Sequence, residues 1–287
     1  MKRTILTGAL ALVAGVSSLM AQQAQAKPPA PKSKEELAAV QALFSATRTG
    51  PDATIKAAED LLTKFADTDF KDIALFSEAQ AYQQKRDPDK AQVYAERALE
   101  ANPKNFQVTL MLAELLAQNT RENDLDKEEK LSRSEKYAKD TIQLVNSAPK
   151  PNQQLTDQQW GDAQKDITAE AHNAIGLAAL TRKKYDVAIA EFKTANDGGS
   201  HPEPAYQVRE ASALQMAGKN DDAVAICDKI MADQQIYPQI RQVAQAIRAT
   251  AIKAGAKNTT VPAAQPAPAA PAAPAAPAPP PPAEKKP

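Results

Sequence analysis

The sequence predicts an all-α protein built as a solenoid of antiparallel helix pairs with disordered, Pro-rich ends, and three observations predict it. The middle of the chain is dominated by Ala, Leu, Lys, Gln and Glu, which are strong helix formers. Aromatic residues make up only 5% of the chain and glycines number nine, too few for an ordinary β-sandwich or a phosphate-cradling α/β fold. One spacing of small and bulky residues also returns five times, as it does in stacked structural repeats.

In chain order, residues 1–26 read as an export signal. Lys2 and Arg3 precede an apolar stretch from Ile5 to Met20, and Ala24-Gln25-Ala26 forms a small-residue cleavage site. A membrane anchor needs roughly 20 apolar residues. This stretch is shorter and is interrupted by Thr7, Gly8, Gly15, Ser17 and Ser18. A lipoprotein would carry a Cys at the cleavage point, whereas the single Cys is Cys227. No later segment is apolar for long enough to span a bilayer. The expected mature chain therefore begins at Lys27, has no transmembrane segment and lies in the periplasm or outside the cell. Residues 27–33, with Pro28, Pro29 and Pro31, read as a short linker.

Losing Lys2 and Arg3 takes the 35 basic residues to 33 against 35 acidic ones, a net charge of −2. Nucleic acid is thereby disfavoured as a partner, because its phosphates need an excess of Lys and Arg focused on one face. A lone Cys cannot close an internal disulfide, and in an oxidising compartment it is safest when buried.

The repeat frame is a small residue, a second small residue 12 later, a core residue four further on and another three beyond that. Gly176, Ala188, Phe192 and Ala195 follow it most clearly, with Tyr185 after the turn at Lys183-Lys184. Ala211, Ala223, Cys227 and Ile230 repeat it, with Gly218 at the turn, and the frame places Cys227 on a core face. Upstream come Ala79, Ala91, Ala95 and Ala98, then Ala42, Thr54, Ala58 and Leu61. The copy carrying Ala113, Ala138, Ile142 and Val145 has 25 residues between its two alanines, which reads as a loop enlarged by 13 residues around Asn119 to Glu129. Two antiparallel helices approach closely only where small side chains face each other, while a bulky residue one turn on fills the adjoining hole. Each such hairpin leaves an apolar face that only a neighbouring hairpin covers.

These residues resemble the tetratricopeptide repeat family. Its repeats of about 34 residues carry Gly or Ala in the first helix, an aromatic near its end, Ala, Phe and Ala in the second, and often a closing Pro. Gly176, Tyr185, Ala188, Phe192 and Ala195 match best, and Asn102-Pro103 supplies a closing Pro. No Trp starts any repeat, and Thr54 and Cys227 replace usual residues. The resemblance implies a right-handed superhelix with repeats at about 35–68, 72–105, 106–151, 169–202 and 204–237. A capping helix over 239–254 completes a repeat domain at 34–254. Between the third and fourth copies Pro149 to Pro151 breaks the chain, and a long helix is expected from Thr156-Asp157 through Trp160 to Gly176. Trp160 reads as covering a neighbouring helix, with a partner contact as the alternative.

The last 33 residues, 255–287, read as a disordered tail whose Pro and Ala alternate from Val261 onward. In polyproline form that Pro-rich part would reach roughly 80 Å. It reads as a spacer, with docking or contact with the cell-wall polymer as alternatives.

No catalytic constellation is visible. His172 and His201 sit in different parts of a repeat without a clustered carboxylate or Cys, and Ser200-His201 lacks a positioned third group. Gly-x-Ser-x-Gly, a phosphate-binding Gly loop and Cys-x-x-Cys are all missing, and the acids at Glu122 to Glu129 lack the central Gly of a calcium loop. The sequence thus predicts no cofactor, no metal and no enzymatic activity. What it offers is a surface.

In the resembled family the first helices line a concave groove that binds peptides. Here the frame projects Phe76, Gln80, Gln83 and Gln84, then Leu110, Glu114 and Gln118, then Asn173, Leu177 and Leu180, then Val208, Ser212, Gln215 and Met216. None is Lys or Arg, so a groove of this kind disfavours gripping a partner's C-terminal carboxylate. It suggests hydrogen bonds to a peptide backbone with apolar anchors, although several of these residues could instead pack on adjacent helices. The expected function is a protein-binding adaptor of the cell envelope, with a wall-associated spacer or a subunit of an envelope enzyme or transport complex as alternatives. N-terminal sequencing of the exported product should begin at Lys27; a product still carrying residues 1–26 would contradict a cleaved signal.

Overall fold

Residues 29–151 and 154–257 are described by the computed structural model. Among them are eleven α-helices and no strand, and the signal segment at 1–26 and the tail from 258 onward lie outside. The helices form successive antiparallel pairs: α1 (Lys34–Thr49) with α2 (Pro51–Lys64), and α3 (Lys71–Gln84) with α4 (Pro88–Ala101). Next come α5 (Phe106–Asn119) with α6 (Lys127–Ser147), and α7 (Asp157–Thr181) with α8 (Tyr185–Gly198). The stack ends with α9 (Pro204–Met216), α10 (Asn220–Ala232) and a closing α11 (Pro238–Lys253).

Local chemistry starts these helices where the chain asks for them. Ser33, Asp87 and Asn105 accept hydrogen bonds from first-turn N–H groups, which otherwise have no partner inside a helix. Pro opens α2, α4, α9 and α11, where its missing N–H costs nothing. Thr156 and Gln159 cap each other reciprocally at the start of α7, which then runs unbroken for 25 residues.

Three hairpins share one turn. Arg86, Lys183 and Gly218 adopt positive φ (58°, 59° and 77°). The next residue's N–H reaches back to a carbonyl five positions earlier: Asp87 to Tyr82, Lys184 to Ala179, Lys219 to Leu214. This shared geometry holds each second helix at one rotation relative to its first, so the frame residues meet. Ala79, Ala91, Ala95 and Ala98 are fully buried, as are Ala113 with Ala138 and Ala211 with Ala223 and Cys227. The closest approach is at Gly176. A Cβ there would lie 2.6 Å from the ring of Phe192, beside buried Ala188 and Ala195.

The first hairpin departs from this rule. Only Gly50 separates α1 from α2, and α1 is rotated so that Val40 and Leu43 face Ala58 and Leu61. Ala42, expected at the contact, is exposed. A shorter turn changes the phase of one helix against the other, and a single residue of phase turns a side chain by about 100°.

The third hairpin corrects a second expectation. Much of the insertion lengthens a helix and leaves residues 120–126 as the loop: α6 begins eleven residues before Ala138, whereas α4 begins three before Ala91. The added turns are tied down by Arg182 at the end of α7. Its side chain is 7% exposed and pairs with Glu128 at 2.7 Å and with Glu135, while its Nη2 donates to Ser132. Lys183 pairs with Glu122 in the remaining loop. Trp160, on the early turns of α7, is buried against Phe106 and Val145, with ring centroids 6.3 Å apart for the aromatic pair. Its role is to fill the space between α5, α6 and the lengthened start of α7.

At the far end α11 buries Ala244 and Ala251, and Arg248 pairs with Asp228 at 2.5 Å. The packing continues past the helix: Ala256 is buried beside Val224, and the Lys257 N–H donates to Asp221. The tail expected from residue 255 therefore starts with Ala256 and Lys257 held against α10. Odd-numbered helices meet one another at α1–α3, α5–α7 and α9–α11, while among the described residues no two even-numbered helices pack substantially together. The odd layer is thus the inner one, and its free face is concave.

Replacing Gly176 by Ala should destabilise the chain by about 1–3 kcal/mol in urea unfolding, because overpacking against Phe192 outweighs the roughly 1 kcal/mol helix preference of Ala. Phe192→Leu in that background should restore part of the loss. A stabilised Gly176→Ala would disprove the close approach.

Candidate functional site

The inner layer carries the residues that the repeat frame projects. Phe76, Leu110, Leu177, Leu180 and Val208 are half-buried, each packed on the core cluster beneath it. Gln80, Ser212 and Gln215 are half-buried, Gln83, Gln84 and Gln118 are exposed, and Met216 is 50% exposed. Asn173 is placed differently. It is 2% exposed, and its Oδ1 accepts a 2.6 Å hydrogen bond from Nη1 of Arg209 on α9, so it belongs to the wall of the groove.

Glu114, which the frame projected, is joined on this face by three side chains that the frame did not select, and together they give it its charge. Glu114 of α5, Glu170 of α7, and Tyr206 and Arg209 of α9 are all half-buried and within electrostatic range of one another. Burial pushes the Glu114 carboxyl up to about 7, with Arg209 opposing. Burial, then Glu114, Asp166 and Glu203, push Glu170 up to about 8. Burial, then Glu170, Glu114 and Glu203, raise the Tyr206 phenol against the pull of Arg209. Glu170 sits three residues before Asn173 and seven before Leu177, so the helical period could have found it. Tyr206 and Arg209 flank the projected stripe of α9, and only the seating of α9 beside α7 brings them in. The groove expected to be neutral between its apolar anchors is therefore acidic at this point, with one arginine.

Other titratable groups are structural in their surroundings. Glu78 of α3 is 1% exposed with neither carboxyl oxygen hydrogen-bonded, and burial together with Glu59 pushes it up to about 7 against the pull of Arg97. Cys227 is fully buried beside Ala211, Ile230 and Ala244, and burial pushes its thiol up to about 11. His172 Nδ1 lies 2.7 Å from Glu191. Ser200 does have a third group, contrary to the sequence reading: its Oγ is 2.8 Å from Asp166 Oδ2 and 2.7 Å from His201 Nδ1. The wiring is not that of a nucleophile, because the Ser hydroxyl donates to the carboxylate and leaves His201 to donate to the hydroxyl. A general base must accept that proton instead. Asp166 also accepts the Ser200 N–H at 2.7 Å, which fastens the loop between α8 and α9 to α7. Among the described residues no three His, Cys, Asp or Glu side chains converge as a metal site would require.

Stacked helical hairpins with a small-residue seam and a concave inner face define a helical-repeat protein. Residues 76–133 match the tetratricopeptide repeat model, and the fold is similar to that of a thermophilic TPR protein of Thermus thermophilus. That similarity has a TM-score of 0.51 at 16% identity over 74% of this chain and 98% of the other. An assembly chaperone of RpL4 aligns with a TM-score of 0.41 at 11% identity over 76% of this chain and 97% of that one. A comparison with curated proteins found no match. Residues 76–133 thus carry the tetratricopeptide repeat pattern, and the described residues share the fold of such a repeat protein.

The raised carboxyls carry a sign. A folded-state pKa above the unfolded value contributes stability that is complete below about pH 4.5 and is lost as pH rises through about 7 for Glu78. Urea unfolding should show stability falling between about pH 5 and 8, with Glu78 accounting for about 3 kcal/mol at most. Glu78→Gln should flatten that slope. An unchanged slope would place the titration elsewhere.

Proposed function

We propose that this chain is a non-catalytic interaction scaffold of the cell envelope, which holds a peptide segment of a protein partner along the concave face of α3, α5, α7 and α9. The observation that carries this reading is the row of half-buried apolar side chains on that face, Phe76, Leu110, Leu177, Leu180 and Val208, interspersed with Gln80 and Gln215. Apolar side chains sunk to half their depth bind another chain's side chains without exposing a large patch in its absence. The amides between them can satisfy a peptide backbone, which would otherwise lose its hydrogen bonds to water. Envelope location follows from the export signal read in residues 1–26.

A photo-cross-linking amino acid placed at Leu177 should trap a protein in cells, and one placed at Val93, 51% exposed on the outer layer, should trap none. Leu177→Glu should weaken capture of that protein about tenfold or more, as expected when a charge replaces an apolar anchor. Equal trapping from both layers would remove the groove from the function, and recovery of the chain only from the cytoplasm would remove the envelope.

A further inference from the structure

We infer that the groove between α5, α7 and α9 receives a lysine or arginine side chain of the bound peptide, seated between the carboxyls of Glu114 and Glu170. This rests on the concave face being a peptide groove and specifies what that groove selects.

Several enclosed acids elsewhere in the molecule have partners. Glu36 accepts from Thr68 at 2.6 Å, Asp228 pairs with Arg248, Glu135 with Arg182, Glu96 with Arg133, and Glu191 with His172. Glu114 and Glu170 differ. Both are half-buried on the packed first helices α5 and α7, within electrostatic range of each other, and neither makes a hydrogen bond or ion pair among the described residues. Arg209, the cation that acts on Glu114, makes no ion pair with either acid, and its Nη1 donates instead to the buried neutral amide of Asn173. Of the other acids facing Glu170, Asp166 is engaged with Ser200 and Glu203 with the Ala205 N–H.

Two desolvated like charges with no ion-paired cation hold protons near neutrality. A cation inserted between them would supply the missing partner and displace those protons. An ammonium or guanidinium fits the donor set better than a metal ion, since it can be held by two carboxylates and can lie against the Tyr206 ring. Leu177 and Val208, half-buried on the first helices α7 and α9, would hold apolar residues flanking the basic one.

The test uses the full chain and a fluorescein-labelled decapeptide of Leu, Gln and Ser with one central lysine, alongside a twin with glutamine in its place. In fluorescence anisotropy the lysine peptide should bind about tenfold tighter than its twin near pH 8.5, and the difference should shrink to about twofold near pH 6 as the carboxyls protonate. Glu114→Gln with Glu170→Gln should abolish the difference, while the twin's affinity and the circular dichroism stay unchanged. Equal binding of both peptides, lost in Leu177→Glu, would overturn the cation and leave the groove standing. Binding of neither would remove the groove and the inference with it. A lysine preference that persists in the double variant would overturn the site. A preference that appears only after Lys285→Gln with Lys286→Gln would make the chain's own tail the occupant and overturn a foreign peptide.

Discussion

The distance of closest approach between the two helices of a pair governs this molecule. At Gly176 the backbone of α7 runs so near the Phe192 ring that a single methyl would not fit, and Ala79, Ala113 and Ala211 occupy the equivalent places in their own hairpins. Small residues let the helices close, and larger ones a turn away fill what remains at crystal-like density. Because the shared turn at Arg86, Lys183 and Gly218 sets the rotation of the second helix in three hairpins, their leftover apolar faces point at the next hairpin. Stacking then buries one continuous seam, and α11 ends it with Ala244 and Ala251 turned inward.

A curved stack has an inner face, and its chemistry is decided by what the seam does not use. The first helices turn Gly and Ala toward their partners and leave Leu177, Leu110 and Phe76 half-covered on the concave side. Where α7 is lengthened and bridged to α9 through Asn173 and Arg209, the same face also collects Glu114, Glu170 and Tyr206. Enclosing unpaired carboxyls costs stability, and Glu78 shows the same cost outside the groove. Such residues persist where the folded chain supplies compensating burial. At the groove, a cation of a bound partner would supply the missing counter-charge.

The inserted residues of the third hairpin show how one local change spreads. Extra turns on α6 would protrude without a partner, and Arg182 holds them through Glu128, Glu135 and Ser132. At the opposite end of the hairpin, Trp160 seats the lengthened start of α7 against Phe106 and Val145. An insertion that reads as loose charge in sequence is thus an integrated part of the stack. Mixed charges favour solvent only until a buried arginine offers them a fixed partner.

By itself the sequence determined the helix pairs, their small-to-small contacts and the burial of Cys227, because those follow from spacings within one or two turns and from helix periodicity. It also determined the long α7, since Thr156 and Gln159 cap a helix that no Pro or Gly-rich segment then stops. Only the tertiary structure decided that Ala42 faces outward, since one residue fewer or more in a turn rotates everything after it. It alone decided that Asn173 is wall and not surface, and that Glu114, Glu170, Tyr206 and Arg209 meet. Those four come from three helices far apart in sequence, and their meeting depends on how whole hairpins pack, a relation that no local spacing encodes.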